Sequence, residues 1–323
     1  MNSNTFQNQN EDRWRDLEGV LDRLDQGKPE PEDAERLPGL FRQACSDASL
    51  AEHRMYGLSL SERLNRLVIR SYHHIHREVN HFWRRGWRFL GAELPQIVRK
   101  EWRLFWLTML LFWAPFFAMV ASSYFDQRWV ESILSPEQMR MLQMGFGHDA
   151  DVSDLRDNFG SNFAMFAFYI RNNVGIDLRI FAGGALFGLG TIFFVIFNGL
   201  AMGASTGYLM QAGDPMKFLN WTSGHATPEL IGMIFAAMAG FKIGFAMIKP
   251  GRFSRRDALV RSGRVAIRLL FGAAFMTTFA AVIEGFWSPV AFPENVKYTF
   301  GVVIVVTMTA YLLLAGRGTL RGA

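Results

Sequence analysis

The sequence predicts an all-α, polytopic membrane protein of about six spans, one of them short or re-entrant, with an N-terminal cytosolic helical region. Three observations predict this class. Half of the 323 residues are hydrophobic, including 30 Phe, 16 Met and 9 Trp, an excess over ordinary soluble domains. The apolar runs are concentrated after Trp102, and several are long enough to cross a hydrocarbon core of ~30 Å. Finally, the stretch 164–210 is too long and too apolar for a soluble core, and it crosses twice if it breaks at Arg171, Asn172, Asn173, Asp177 and Arg179. Residues 1–100 therefore read as a cytosolic and membrane-surface helical region, and 101–323 as a transmembrane domain.

The N-terminal region opens with an amphipathic helix over 11–26, where Trp14, Leu17, Val20, Leu21 and Leu24 recur at helical spacing until Gly27, Pro29 and Pro31 stop it. A second helix carries Leu37, Leu40, Phe41 and Cys45 on one side, with Pro38 confining its regular part to the residues after the proline. Ser59 and Glu62 have capping-box spacing and open a third helix with an apolar stripe at Leu64, Leu67, Val68, Tyr72 and Ile75. A helical bundle results. Over 78–90, Val79, Phe82, Trp83, Trp87 and Leu90 share one face, and Arg84, Arg85 and Arg88 the other. Such a helix lies in the headgroup zone or packs in the bundle with a solvated arginine face. Pro95 then bends the chain toward Arg99, Lys100 and Arg103. His73, His74 and His76 read as a solvated group on an arginine-rich helix.

The first span, 104–124, is framed by Trp102, Trp106, Trp113 and Tyr124, as expected at membrane interfaces. Arginine and lysine massed ahead of it place its start in the cytosol. The loop 126–158 is acidic and poor in arginine and lysine, which places it outside. Later spans run over 180–201, 228–248, 266–287 and 298–315. With those alone, the stretch 249–268, which holds Arg252, Arg255, Arg256, Arg261 and Arg264, falls outside and violates the positive-inside bias. A short helix over 161–176 repairs the pattern if it also crosses, although at ~1.5 Å per residue it is only roughly 24 Å long. Six crossings with both termini cytosolic, in the bacterial inner membrane, is the expected topology; a re-entrant hairpin is the alternative.

The positive balance, 34 Lys and Arg against 29 Asp and Glu, follows from this orientation, and no nucleic-acid partner is expected. The start of the chain lacks a basic stretch followed by an apolar one, so a cleaved signal is not expected. Cys45 stands alone, and no intrachain disulfide is available to it. It reads as an inert packed thiol.

Small residues recur at four-residue spacing: Gly184 and Gly188; Gly199, Gly203 and Gly207; Gly240 and Gly244. Stacked on one helix face, they admit another backbone, either within the protomer or across a homodimer.

The chain resembles the stage II sporulation protein M family over nearly its full length. The lead-in LPGLFRQACSDASLAEHR, LSERLNRLVIRSYHHIHRE and LPQIVRKEWRLF carries the resemblance in the first part. The membrane part carries it in Asn172 and Asn173, GGALFGLGTIFFVIFNG ending at Asn198 and Gly199, His225 with Glu229, and AAVIEGFWSP with Glu284 and Pro289. Ala226 departs from the glycine common there. The resemblance implies a membrane scaffold, since in endospore formers the namesake organises cell-wall hydrolases during engulfment.

Asn172, Asn173, Asn198, His225, Glu229 and Glu284 are the polar residues predicted within or beside spans, where such groups are costly and mark function by default. Lys242, near a span end, is expected to snorkel. His225 and Glu229 stand four apart on one helix face. With Glu284 they read as a hydrogen-bonded tie between spans, ahead of a metal site: they offer N, O, O ligands, but the two-histidine zinc-protease pattern is absent. A third reading is a substrate or proton path opened by breaks at Asn172 and Asn173 and a glycine-rich turn at Asn198. There is no phosphate-binding loop, GxSxG turn or cysteine metal motif. No cofactor is therefore expected, and an ATP-driven role would need a separate ATPase. The expected function is a non-enzymatic scaffold recruiting protein partners in the bilayer. The alternatives are a permease-like or lipid-handling protein and a membrane metallohydrolase.

Overall fold

The computed structural model describes residues 2–75, 82–150 and 159–317. Among the described residues all regular structure is helical. The chain forms two compact units, Met1–Trp83 and Arg84–Ala323.

The first unit contains α1 (Ser3–Asp25), α2 (Asp33–His53) and α3 (Leu58–Ile75). Asn2 caps α1, its side-chain oxygen accepting from the Thr5 N–H at 2.9 Å. Trp14, Leu17, Leu21, Leu37, Leu64 and Leu67 meet in one core. The Trp14 indole is buried and donates to Asp47 at 2.9 Å, which supplies its one polar atom with a partner. Ion pairs bind the helices outside the core: Arg63 reaches Glu11 at 2.9 Å and Glu18 at 3.0 Å, and Arg23 reaches Asp33 at 2.5 Å.

Two local expectations are corrected here. Helix α2 begins at Asp33, ahead of Pro38, which lies inside it. A proline this near a helix start removes only one ladder hydrogen bond, and packing of Leu37 into the core outweighs that loss. Ser59 lies within α3 and forms no capping box; the Gly57 carbonyl accepts from Leu60 and Ser61 instead. Of the histidines, His74 lies 2.7 Å from Asp25, and His76 is outside the described residues, as is Val79. Burial raises the pKa of the half-buried Cys45 thiol, which suits an unreactive side chain.

Helix α4 (Phe82–Arg88), most of which belongs to the second unit, passes through a π turn (Phe89–Glu93) into α5 (Leu94–Lys100). Trp83 and Trp87 are exposed. Glu101 separates α5 from α6 (Trp102–Phe125). Short helices α7 (Arg128–Glu131) and α8 (Pro136–Phe146) follow, then α9 (Asn162–Tyr169), a π turn (Ile170–Val174), α10 (Gly175–Ala182) and a 3-10 turn (Gly183–Ala185). The remaining helices are α11 (Leu189–Ala212), α12 (Pro215–Thr222), α13 (Ala226–Ile248), α14 (Arg255–Phe286) and α15 (Glu294–Leu314). Five of these helices, α6, α11, α13, α14 and α15, are long and apolar enough to cross a membrane.

The stretch 162–185 differs from the reading above. The backbone stays helical through Asn172, Asn173, Asp177 and Arg179, with a π turn where a break is expected. The chain reverses later, at Phe187 (φ 54°) and Gly188 (φ 85°). The whole run is roughly 35 Å at ~1.5 Å per residue. The following span begins at Leu189 rather than 180, so Asn198 sits inside α11, donating to the Phe194 carbonyl at 2.7 Å, and marks no turn. Much of the basic stretch 249–268 is likewise the first part of the long helix α14.

The glycines allow the close contacts. Gly184 meets Gly240 and Gly188 meets Gly244, backbone to backbone. On α11, Gly199 lies against the Phe112 carbonyl, Gly203 against the Phe116 carbonyl and Gly207 against Ser123, all on α6. In lipid, where helix association depends on packing, a β-carbon at these positions would push the pairs apart. The most enclosed of the long apolar helices is α13, so it forms the hub on which α14 and the 162–185 run pack.

Candidate functional site

The polar residues gather at the end of the bundle where α13 begins. His225 is the residue before α13 and Glu229 lies one turn into it; Pro228 fits between them because a first-turn N–H has no helical partner to lose. Glu284 lies near the end of the antiparallel α14, and Ser288 just beyond it. His225 Nδ1 is 3.0 Å from Ser288 Oγ, which fixes the ring and turns Nε2 toward Glu284, 3.7 Å from its Oε1. His225 and Glu284 are 3% and 6% exposed, so water does not satisfy them. One ligand atom from each of His225, Glu229 and Glu284 lies within 4.8 Å of the others.

Further groups extend the cluster into the bundle. Tyr169, at the end of α9, interacts with Glu284. Glu229 neighbours Glu284, and Asp177 is near enough to act on Glu229 electrostatically. The Thr277 hydroxyl of α14 donates to buried Asp177 at 2.5 Å. Among the described residues no arginine or lysine forms an ion pair with Asp177, Glu229 or Glu284. Buried Lys297 donates to the Ser288 carbonyl at 2.9 Å instead. Glu229 also lines a cavity of about 140 Å³ with Phe112, Trp113, Met202, Thr227 and Met233, so the cluster has an apolar vestibule on one side.

The other candidates separate from this group. Asn173 is buried in the π turn and accepts from Asn172 at 2.7 Å. Asn198 is satisfied by its own helix. Lys242 does not snorkel: its ammonium is 2.7 Å from Glu101, where α6 begins, at the opposite end of α13. Tyr169, Asp177, Thr277 and Ser288 escaped the sequence reading as members of the site. One signal could have found two of them, since Tyr169, Asn173 and Asp177 repeat every four residues along one helix face.

Known proteins extend this picture unevenly. A family model described as Stage II sporulation protein M matches residues 104–289, and one described as a domain of unknown function (DUF8413) matches residues 4–77. An uncharacterized protein of Methanocaldococcus jannaschii is 31% identical over 99 residues, which is 30% of this chain and 54% of that protein. The chain thus spans about half the length of the curated relative it matches. No solved structure matches.

Proposed function

The chain belongs to the stage II sporulation protein M family, and from that premise we propose that it is a non-enzymatic membrane scaffold whose N-terminal helical unit recruits partner proteins. The observation that carries this is modular. The unit Met1–Trp83 has its own apolar core and its own family match, separate from the membrane-family match over 104–289. Its ion-paired surface suits polar protein contacts, and a soluble ATPase is one partner class. In this reading the protein lies in the bacterial inner membrane with both termini cytosolic. The 162–185 run is the sixth crossing: Gly285 of α14 packs on Phe166 near its start, and Gly244 near the end of α13 packs on Gly188 just after it.

The test is co-purification from crosslinked membranes, comparing the tagged full chain with a deletion of residues 2–75. Loss of specific partners from the deletion, with membrane insertion retained, supports docking on this unit. The same partners captured by both forms would place docking elsewhere.

A second reading, a permease-like or lipid-handling role, is favoured by the row Asp177, Glu229 and Glu284 within the apolar helices, since ionisable groups there are costly unless used. In reconstituted vesicles Glu284→Gln then abolishes proton or lipid movement without unfolding the protein. A variant moving either at the full rate removes Glu284 from the path.

A further inference from the structure

We propose that His225, Glu229 and Glu284 together bind one divalent transition-metal ion, of the class of Zn²⁺, Mn²⁺ or Fe²⁺, at the His225 end of the bundle. The competing arrangement is a closed hydrogen-bonded tie between α13 and α14, and the geometry disfavours it. At 3.7 Å, His225 Nε2 and Glu284 Oε1 are too far apart to share a hydrogen bond. Glu284 Oε2 is buried with no hydrogen-bond partner. A tie that leaves a buried carboxylate oxygen unpaired forfeits about 1–3 kcal/mol or more.

A metal ion answers each of these features. Bonds of about 2.0–2.2 Å to nitrogen and oxygen place ligand atoms of a tetrahedral site roughly 3.4 Å apart. The His225–Glu284 separation is already close to that, and the 4.8 Å limit on the whole set closes with small side-chain movements. Ser288, bonded to Nδ1, orients the ring so that Nε2 is the free donor, the supporting contact expected of a metal-bound histidine. The dication would also bring positive charge to neighbouring carboxylates with which, among the described residues, no lysine or arginine forms an ion pair. One nitrogen and two carboxylate oxygens favour Zn²⁺, Mn²⁺ or Fe²⁺ over thiolate-seeking Cu⁺. The three protein ligands leave a position open, and Glu229 also borders an apolar cavity of about 140 Å³. The inference depends on neither reading proposed above.

The test uses the full chain purified in detergent without chelator, with elemental analysis for zinc, manganese and iron. The expected result is about one ion per chain, removed by EDTA and restored by ZnCl₂ or MnCl₂ with a rise in thermal midpoint. His225→Ala and Glu284→Gln should each lose the ion, and Ser288→Ala should weaken binding by about 10–100-fold. Should the ligand variants fail to fold, Co²⁺ loaded into the stripped wild-type chain keeps the question open to measurement. A tetrahedral N/O absorption spectrum without a thiolate band supports the site, and a thiolate band would put the metal on Cys45 and overturn it. Sub-stoichiometric metal, with no binding of either chloride salt tighter than about 10 µM, would also overturn it. So would a folded Glu284→Gln chain retaining its metal.

Discussion

Thr277 and Asp177 hold α14 to the 162–185 run by a single hydrogen bond of 2.5 Å in a fully buried setting. Its energetic weight comes from what is left when it goes. Thr277→Val preserves the shape but leaves Asp177 without its donor, a loss of about 1–3 kcal/mol. Thermal unfolding in detergent should show a clear drop for Thr277→Val. Thr277→Ser keeps the hydroxyl and should lose less, about the cost of one methyl group. Equal losses in the two variants would mean that packing, not the hydroxyl, carries the contact.

Contacts between α6 and α11 depend on the absence of side chains. A β-carbon on Gly203 would stand 2.5 Å from the Phe116 carbonyl oxygen and 3.0 Å from Met119 Cβ, so Gly203→Leu must separate the helices. Overpacking of this kind costs about 1–3 kcal/mol, and a branched side chain facing a carbonyl belongs at the upper end. Gly263 of α14 is the control: a β-carbon there meets nothing within 4 Å, and Gly263→Ala should leave stability unchanged or raise it. A Gly203→Leu chain as stable in detergent as the wild type would place that face against lipid.

The N-terminal unit should respond to acid. Hydrogen bonding from Arg23, and then from the Glu30 backbone N–H, holds the pKa of Asp33 at about 2, below its ordinary value of 3.8. A depressed folded value means that the carboxylate stabilises the fold fully above pH ~4 and loses that contribution as pH falls from ~4 toward 2. Pepsin is active across this window. Its cleavage near Leu17–Leu21, normalised to an unfolded substrate, should rise as the pH is lowered. Asp33→Asn should already be more susceptible at pH 4 and change less below it. An identical profile for the two chains would show that Asp33 is not the responsible group.

Much of this architecture was legible in the sequence, and the exceptions share a cause. Length and hydropathy located α6, α13 and α15 because continuous apolar runs ending at charged or aromatic residues have few alternatives. They failed at 180–201, where GGALFGLG is as apolar in a turn as in a helix. The reversal there rests on Phe187 in the left-handed region, a residue type that does not announce it. Asn172 and Asn173 look like a break, yet a π turn accommodates them within the helix. His225 with Glu229 was visible from spacing along one helix. Ser288 and Thr277 join only through contacts between helices, which one chain's periodicity does not encode.

The orientation of the bundle gives the most general prediction. The 162–185 run follows α13 from one end to the other, with Phe166 near the Glu284 end and Gly188 against Gly244 near Ile248. At roughly 35 Å it exceeds the ~30 Å hydrocarbon core, so a crossing needs no thinning of the bilayer. That crossing places Lys249, Arg252, Arg255 and Arg256 on the side of α6 that begins at Trp102, as the bias of arginine and lysine toward the cytosol requires. In a chain carrying Cys45→Ala, Arg256→Cys should resist a membrane-impermeant maleimide in intact cells and react after permeabilisation. Gln127→Cys, in the turn after α6, should show the reverse. Labelling of residue 256 from outside intact cells would reduce the run to a re-entrant element and place the second half of the bundle in the opposite orientation.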